Sequence, residues 1–160
     1  MIRLERLRPD HADALLSFER ANRAYFARTI PDRGDAYFTY FPARHAALLA
    51  EQEAGICHFH VILDAEGTLA GRINLLDADA GTAELGYRVG ERFTGRGVAK
   101  AAVRQVCRLA TDAYGLSTLT ARTTLDNAAS MAVLTGTGFT TVGETVIGGR
   151  PGLRYARRLT

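Results

Sequence analysis

Apolar and polar positions change rhythm several times along the chain, and the changes divide it into elements. Ile2, Leu4 and Leu7 alternate with charged residues at the start, which predicts a strand over 2–8. Pro9-Asp10 then opens a helix: Asp10 can cap it and Asp13 suits its positive end. Leu15, Phe18, Ala21 and Tyr25 recur at helical spacing. Residues 30–37 (IPDRGDAY) read as a loop, and a second helix runs near 42–54, from Pro42 to the stop at Gly55. From there the rhythm is that of strands. Residues 56–63, 69–76 and 83–89 are separated by turns at 64–67 and 77–81, and a three-stranded antiparallel meander is their simplest arrangement. The stretch GERFTGRGVAK (90–100) leads into a helix with Ala99, Val103, Val106, Cys107 and Ala110 on one face. A strand over 117–123 follows, then a short helix over 127–135 ended by Gly136 and Gly138. Two last strands, 139–147 and 153–159, flank Gly148-Gly149-Arg150-Pro151-Gly152.

The order β-α-α-β-β-β-α-β-α-β-β predicts an α+β domain with a mixed, mostly antiparallel sheet of about seven strands and about four helices. The strand–loop–helix–strand unit over 83–123 needs a crossover, so its two strands are expected to be parallel neighbours.

Composition narrows the class. A chain of 160 residues, 47% apolar and 23% charged, suits one domain, 1–160. At this size roughly 70% of the unfolded surface can be buried, so no disulfide or metal is required. No apolar run approaches the roughly 20 residues of a membrane span, and MIRLERLRPD lacks a signal-peptide core. Cys57 and Cys107 are expected to be reduced core thiols in a soluble cytoplasmic protein. A net charge of +3 is too small to imply nucleic acid. Of the basic residues only Lys100 is lysine, a bias that genomic base composition explains.

The sharpest chemical signal is the strand around Glu84-Leu-Gly-Tyr-Arg-Val89 feeding Thr94-Gly-Arg-Gly-Val-Ala99 at a helix start. Glycines let backbone N–H groups approach a phosphate, and the helix N-terminus adds partial positive charge. Arg92 and Arg96 stand beside the loop and can complement phosphate oxygens. A plain strand-to-helix turn reads equally well from the loop alone. The Gly-Lys-Ser/Thr of a Walker loop is absent, and a dinucleotide fingerprint fits poorly.

Thr94, Gly97 and Ala99 match three positions of the Q/R-x-x-G-x-G/A loop of the GCN5-related N-acetyltransferase (GNAT) superfamily, which the sequence resembles; Thr94 departs from its first position. Asn127-Ala-Ala-Ser130 followed by Gly138-Phe139 is similar to that family's N-x-x-S…G-F segment, and the element order fits over nearly the whole chain. The strand and loop look most like the ribosomal-protein N-terminal acetyltransferase branch (RimJ/RimL type). The resemblance implies a GNAT domain whose fourth and fifth strands splay apart to admit the pantetheine arm of acetyl-CoA. Backbone groups of Tyr87 and Val89 would pair with the arm, the Val89 N–H acting as oxyanion donor. Backbone N–H groups of Thr94, Gly95, Arg96, Gly97, Val98 and Ala99 would hold the pyrophosphate, and Asn127 and Ser130 would line the far side.

The implied reaction is direct attack of a neutral amine on the thioester in a ternary complex. Glu84 is the leading candidate to take the amine proton, directly or through water, with Glu144 the second carboxylate; surface roles are open for both. Leu134 occupies the position where many relatives carry the tyrosine acid, so Ser130 is the candidate proton donor, alongside a capping or cofactor-contact role. The branch's penultimate-strand Glu falls near Gly149 and does not carry over. The acceptor the resemblance implies is a primary amine, a protein N-terminal α-amine of the ribosomal-protein type; the alternatives are a small-molecule amine acceptor or a non-catalytic acyl-CoA sensor. Neither nucleic acid nor a membrane is expected as partner, and the chain is expected as monomer or homodimer.

Two features outside the motifs remain. His58 and His60 share a strand face and could ligate metal, but no third ligand is evident and packing is favoured; His11 and His45 read as helix-surface residues. Tyr25, Phe26, Tyr37, Phe38, Tyr40 and Phe41 crowd one region, either packing a loop onto the core or covering the acceptor site.

Overall fold

In the computed structural model, which describes residues 1–159, the strands are β1 (Arg3–Arg6), β2 (His58–Leu63), β3 (Leu69–Asp79), β4 (Thr82–Val89), β5 (Thr118–Thr124), β6 (Thr140–Ile147) and β7 (Arg150–Arg158). The helices are α1 (Ala12–Ala21), α2 (Arg23–Phe26), α3 (Asp35–Thr39), α4 (Phe41–Glu53), α5 (Val98–Asp112) and α6 (Ala128–Gly136). The sheet order is β1-β2-β3-β4-β5-β7-β6, antiparallel throughout except for the parallel pair β4–β5. The meander and the crossover are therefore present. Two of the six helices, α2 and α3, are a single turn or little more, and α3 begins at Asp35, within the 30–37 stretch expected to be loop.

Alternation along the strands buries both faces of the sheet centre. Ile62, Ile73, Leu75, Leu85 and Leu119 face one cluster with Val103, Val106 and Ala110 of α5. Phe59, Val61 and Leu63 face a second cluster with Leu15 of α1, Tyr37 of α3 and Phe41 of α4. α5 forms because its apolar residues recur every three or four positions while Arg104 and Arg108 face solvent.

Several local expectations differ. Asp10 does not cap a helix. A 3-10 turn over Pro9–His11 precedes α1, the His11 ring accepts the Arg8 N–H at 3.0 Å, and Asp10 instead takes the Arg8 guanidinium at 3.0 Å. His11 and His45 are buried rather than on the surface. His11 lies 3.2 Å from Glu5, while His45 Nε2 donates to the Arg8 carbonyl at 2.9 Å with its ring stacked on Phe41. β1 and the segment after it supply these partners, Glu5 and the Arg8 carbonyl, which helical periodicity does not encode. β3 runs on to Asp79 with an irregularity after Leu76, where Asp77 takes positive φ, and Ala80 takes positive φ in the tighter turn. β7 begins at Arg150, so the glycine-rich turn shrinks to Gly148-Gly149.

What positions the site is the short extent of the parallel pair. β4 and β5 pair only from Thr82↔Thr118 to Leu85↔Ala121. Beyond that, Gly86–Val89 bond only to β3, and Arg122–Thr124 only to β7.

Candidate functional site

The parting of β4 from β5 leaves a cleft through the middle of the sheet. Two hollows of about 310 and 160 Å³ meet there, both lined by Thr29, Ile30, Tyr87, Asn127 and Ser130. The larger opens toward Thr94 and Ala99 and is covered by Tyr25, Phe26 and Arg28. The smaller is walled by Gly86, Arg122, Thr123, Pro31 and Ile147.

The cleft's backbone is poor in internal partners. Gly90 N–H donates to Ala70 of β3 at 2.8 Å, so strand alternation turns the N–H groups of Val89 and Tyr87 the other way, into the opening. The loop after β4 repeats the theme. Gly95 and Gly97 have φ of 74° and 72°, a region costly for residues with a Cβ, and a Cβ on either would meet nothing. Gly97 precedes α5 with no side-chain cap. Among the described residues the amides of Gly95, Arg96, Gly97, Val98, Ala99 and Lys100 donate to no protein acceptor. Arg92 and Arg96 stand over the buried Phe93 ring at 4.9 and 6.0 Å, which holds both cations beside these amides. An array of unused N–H donors at a helix N-terminus fits a pyrophosphate, and an open strand edge fits an extended chain bearing amides. The residues thus fit the CoA moiety.

On the opposite wall, the Asn127 side chain caps α6 by accepting the Ser130 N–H at 3.1 Å, so the capping residue is Asn127 and the Ser130 hydroxyl is free for other bonds. That hydroxyl meets the Tyr87 hydroxyl at 3.0 Å across the cleft. Burial pushes the Tyr87 phenol above its usual range, against a smaller opposing effect of the Ser130 bond, so it stays protonated at neutral pH. The sequence identified Tyr87 through its backbone only; its hydroxyl was not singled out. Leu134 is buried under α6.

The carboxylates are distributed differently from expectation. Glu84 lies in the last paired stretch of β4, 2.7 Å from Arg122, whose side chain lines the smaller hollow. Glu144 is exposed on edge strand β6 and lines neither hollow. Asp126, which sequence reasoning passed over, is the one carboxylate lining the cleft among the described residues. It accepts a bond from Thr124 and pairs with Arg150 at 3.1 Å. Its place just before Asn127 was the available signal. Arg150 also reaches the Arg28 carbonyl at 3.5 Å, and the Gly148 turn packs on Pro31, so the β6–β7 hairpin and the loop after α2 roof the smaller hollow together.

The aromatic region divides. Tyr37 and Phe41 are core, Tyr25 and Phe26 line the cleft, and Tyr40 is exposed. His58 stacks on Tyr114 at 3.7 Å, and His60 Nε2 lies 2.6 Å from the Tyr114 hydroxyl. No group of three His, Cys, Asp or Glu side chains suited to a metal occurs among the described residues, Cys57 and Cys107 are free and buried, and no described helix is long and apolar enough to cross a membrane.

Comparison with known proteins gives the fold a family. Residues 2–140 match the model of the acetyltransferase (GNAT) domain. The ribosomal-protein-S5-alanine acetyltransferase of Vibrio fischeri superposes with a TM-score of 0.90 at 20% identity, covering 98% of this chain and 92% of that one. RimJ of Mycobacterium smegmatis, in complex with CoA-disulfide, gives 0.88 at 25% identity, covering 98% and 81%. A chimera of spermidine N-acetyltransferase SpeG from Vibrio cholerae gives 0.81 at 16%, covering 99% and 95%. No curated protein matches in sequence.

Proposed function

The chain belongs to the acetyltransferase (GNAT) family, and we propose that it moves an acetyl group from acetyl-CoA to a protein N-terminal α-amine of the ribosomal-protein type. Acetyl-CoA use follows from the family, and RimJ, a CoA complex, shares the fold. The observation that carries the reading is the open β4 edge running into six unpaired amides, all within one cleft.

Acetyl-CoA supplies an acetyl thioester, already activated toward amines. The amides of Gly95 through Ala99 would grip its pyrophosphate, Thr94 would cover the loop's start, and Asn127 and Ser130 would line the arm. The Val89 N–H, aimed into the opening, would stabilise negative charge on the carbonyl oxygen. The hydroxyl pair of Ser130 and Tyr87 would hold a proton at Ser130 Oγ for the departing sulfur, with Tyr87 replenishing it. Glu84 is the proposed acceptor of the amine proton, standing at the foot of the splay with Arg122 between it and the smaller hollow. Asp126 is the second reading, favoured by its place on the cleft wall. An α-amine, with a pKa near 7.7–8.0, asks less of either base than a lysine near 10.4.

Relatives of this fold act on ribosomal proteins and on spermidine. The lining supports the former, because a polycation prefers carboxylates and the smaller hollow offers Arg122 and none. The test is turnover on a panel of N-terminal peptides and polyamines. Acetylated peptide product, with Glu84→Gln reducing the rate, supports the reading. Calorimetry showing no micromolar CoA binding would overturn it, binding without turnover would make the chain an acyl-CoA sensor, and full activity of Glu84→Gln across pH would pass the base to Asp126.

A further inference from the structure

On the other face of the sheet one carboxylate serves three guanidiniums. Glu19 of α1 is 1% exposed. Its oxygens accept from Arg33 Nε and Nη2 at 3.1 and 3.3 Å, from Arg72 Nη1 at 3.2 Å and from Arg88 Nη1 at 3.0 Å. The Arg72 and Arg88 side chains are only 5% and 14% exposed. Three positive charges therefore share one negative charge with little water to screen them. The strain is visible in Arg88, where burial and then repulsion by Arg33 bring the guanidinium down to about 10.

Beside this hub lies a cavity of about 180 Å³ that shares no lining residue with the cleft. Arg33, Arg44 and Arg72 line it, and Glu51 is the one carboxylate on its wall. Each arginine has donors to spare. Arg72 spends Nη1 on Glu19 and on the Tyr37 hydroxyl at 3.0 Å, and Arg33 spends Nε and Nη2 on Glu19. Arg72 Nη2, Arg33 Nη1 and the whole Arg44 head have no hydrogen-bond acceptor among the described residues. Their orientation is set in advance: Arg33 and Arg44 lie over the Tyr37 ring at 4.5 and 5.4 Å. Phe41 and Leu48 supply an apolar wall. An excess of fixed, unsatisfied guanidinium forks around a small hollow is the arrangement that binds oxyanions.

We propose that this cavity binds a carboxylate or phosphate group, gripped by Arg33, Arg44 and Arg72 and seated against Tyr37. An engineered cavity of ~150 Å³ admits benzene, so the ligand's body is no larger than about six heavy atoms. A nucleotide is excluded by size. The group comes either from a free small acid or from an acidic side chain of a polypeptide, and the site stands independently of the acetyl-transfer reading.

The test is calorimetric titration of the full chain with inorganic phosphate and with glutarate, on wild type, Arg44→Glu and Arg96→Glu. Arg44 is exposed and touches the hub only by lying over the Tyr37 ring, so Arg44→Glu is expected to leave the fold intact, which a melting curve checks. The expected result is a millimolar or tighter site that Arg44→Glu weakens by at least about tenfold and that persists in Arg96→Glu, which removes only any additional phosphate held by the loop before α5. No binding at about 20 mM of either anion, or loss on Arg96→Glu alone, overturns the proposal, the latter assigning the anion to the loop before α5. A second arm compares peptides with Glu or Gln at the third position. A Glu preference abolished by Arg44→Glu identifies the source as a polypeptide acid; glutarate binding without one identifies a free acid.

Discussion

Glu19→Gln is the sharpest test of what holds the α1 face together. Gln keeps the side chain's shape but removes the one charge that Arg33, Arg72 and Arg88 share, and turns an N–H₂ toward guanidiniums that can only donate. Removing one member of a buried ionic cluster costs about 3–5 kcal/mol, because the remaining charges stay desolvated. For a domain of this size each kcal/mol moves the melting temperature about 2–4 °C, so a drop of about 6–20 °C is expected. The control is Glu84→Gln, whose partner Arg122 has a side chain 47% exposed; a pair so open to water contributes under about 1 kcal/mol. The pH dependence gives an independent reading. Burial pushes the Glu19 carboxyl up, but the three arginines outweigh it and hold it below the ordinary carboxylate range. As pH falls the unfolded chain therefore takes the proton first. The stabilisation is complete above about pH 4.3 and is lost below it as pH passes through the folded value. Calorimetric melts from pH 7 to 3 should show this acid limb in wild type and its absence in Glu19→Gln. A Glu19→Gln melting temperature within about 2 °C of wild type would refute the account of the hub.

Arg72→Lys keeps the charge but its ammonium stops one atom short of the Nη1 that bonds both Glu19 and Tyr37, so a loss of about 1–3 kcal/mol is expected in urea melts. Burial brings His60 down to about 4, so between pH 6.5 and 4 the unfolded chain binds more protons and stability falls with pH by up to about 3 kcal/mol; His60→Gln should flatten urea-melt stabilities over that window. Gly71→Ala sets a Cβ against the Arg88 backbone carbonyl where β3 meets β4, so about 1–3 kcal/mol should be lost by the same melts. Tyr87→Phe removes the hydroxyl facing Ser130; kcat should fall by about 10–100-fold with CoA affinity unchanged, read by steady-state kinetics and calorimetry.

The elements that build the cleft were legible because local rules write them. Alternation marks β4, two glycines at positive φ mark the loop before α5, and an Asn three residues ahead of the first-turn amide it caps marks α6. Parallel pairing of β4 with β5 followed from the need for a crossover. Side-chain chemistry was less legible in proportion to its sequence separation. Glu19 carries no signal in the sequence, since its partners lie 14, 53 and 69 residues away. His45 finds its acceptor 37 residues back, and the Tyr87 hydroxyl meets Ser130 43 residues on.

The same separation explains why the arginine bias was easy to discount. Taken as composition, nineteen arginines and one lysine need no structural cause. At the hub, however, the residue type matters. A guanidinium can give one or two nitrogens to a shared carboxylate and keep another free, which is how Arg72 (through Nη1) and Arg33 (through Nε and Nη2) bind Glu19 while lining the adjoining cavity. An ammonium at either position would be a point charge, satisfied by Glu19 or turned to the cavity. Arg88 performs the third version of this double duty, bonding Glu19 while lining the cleft on its other side. One buried carboxylate thereby bonds arginines that line the cleft and arginines that line the separate cavity beside the hub.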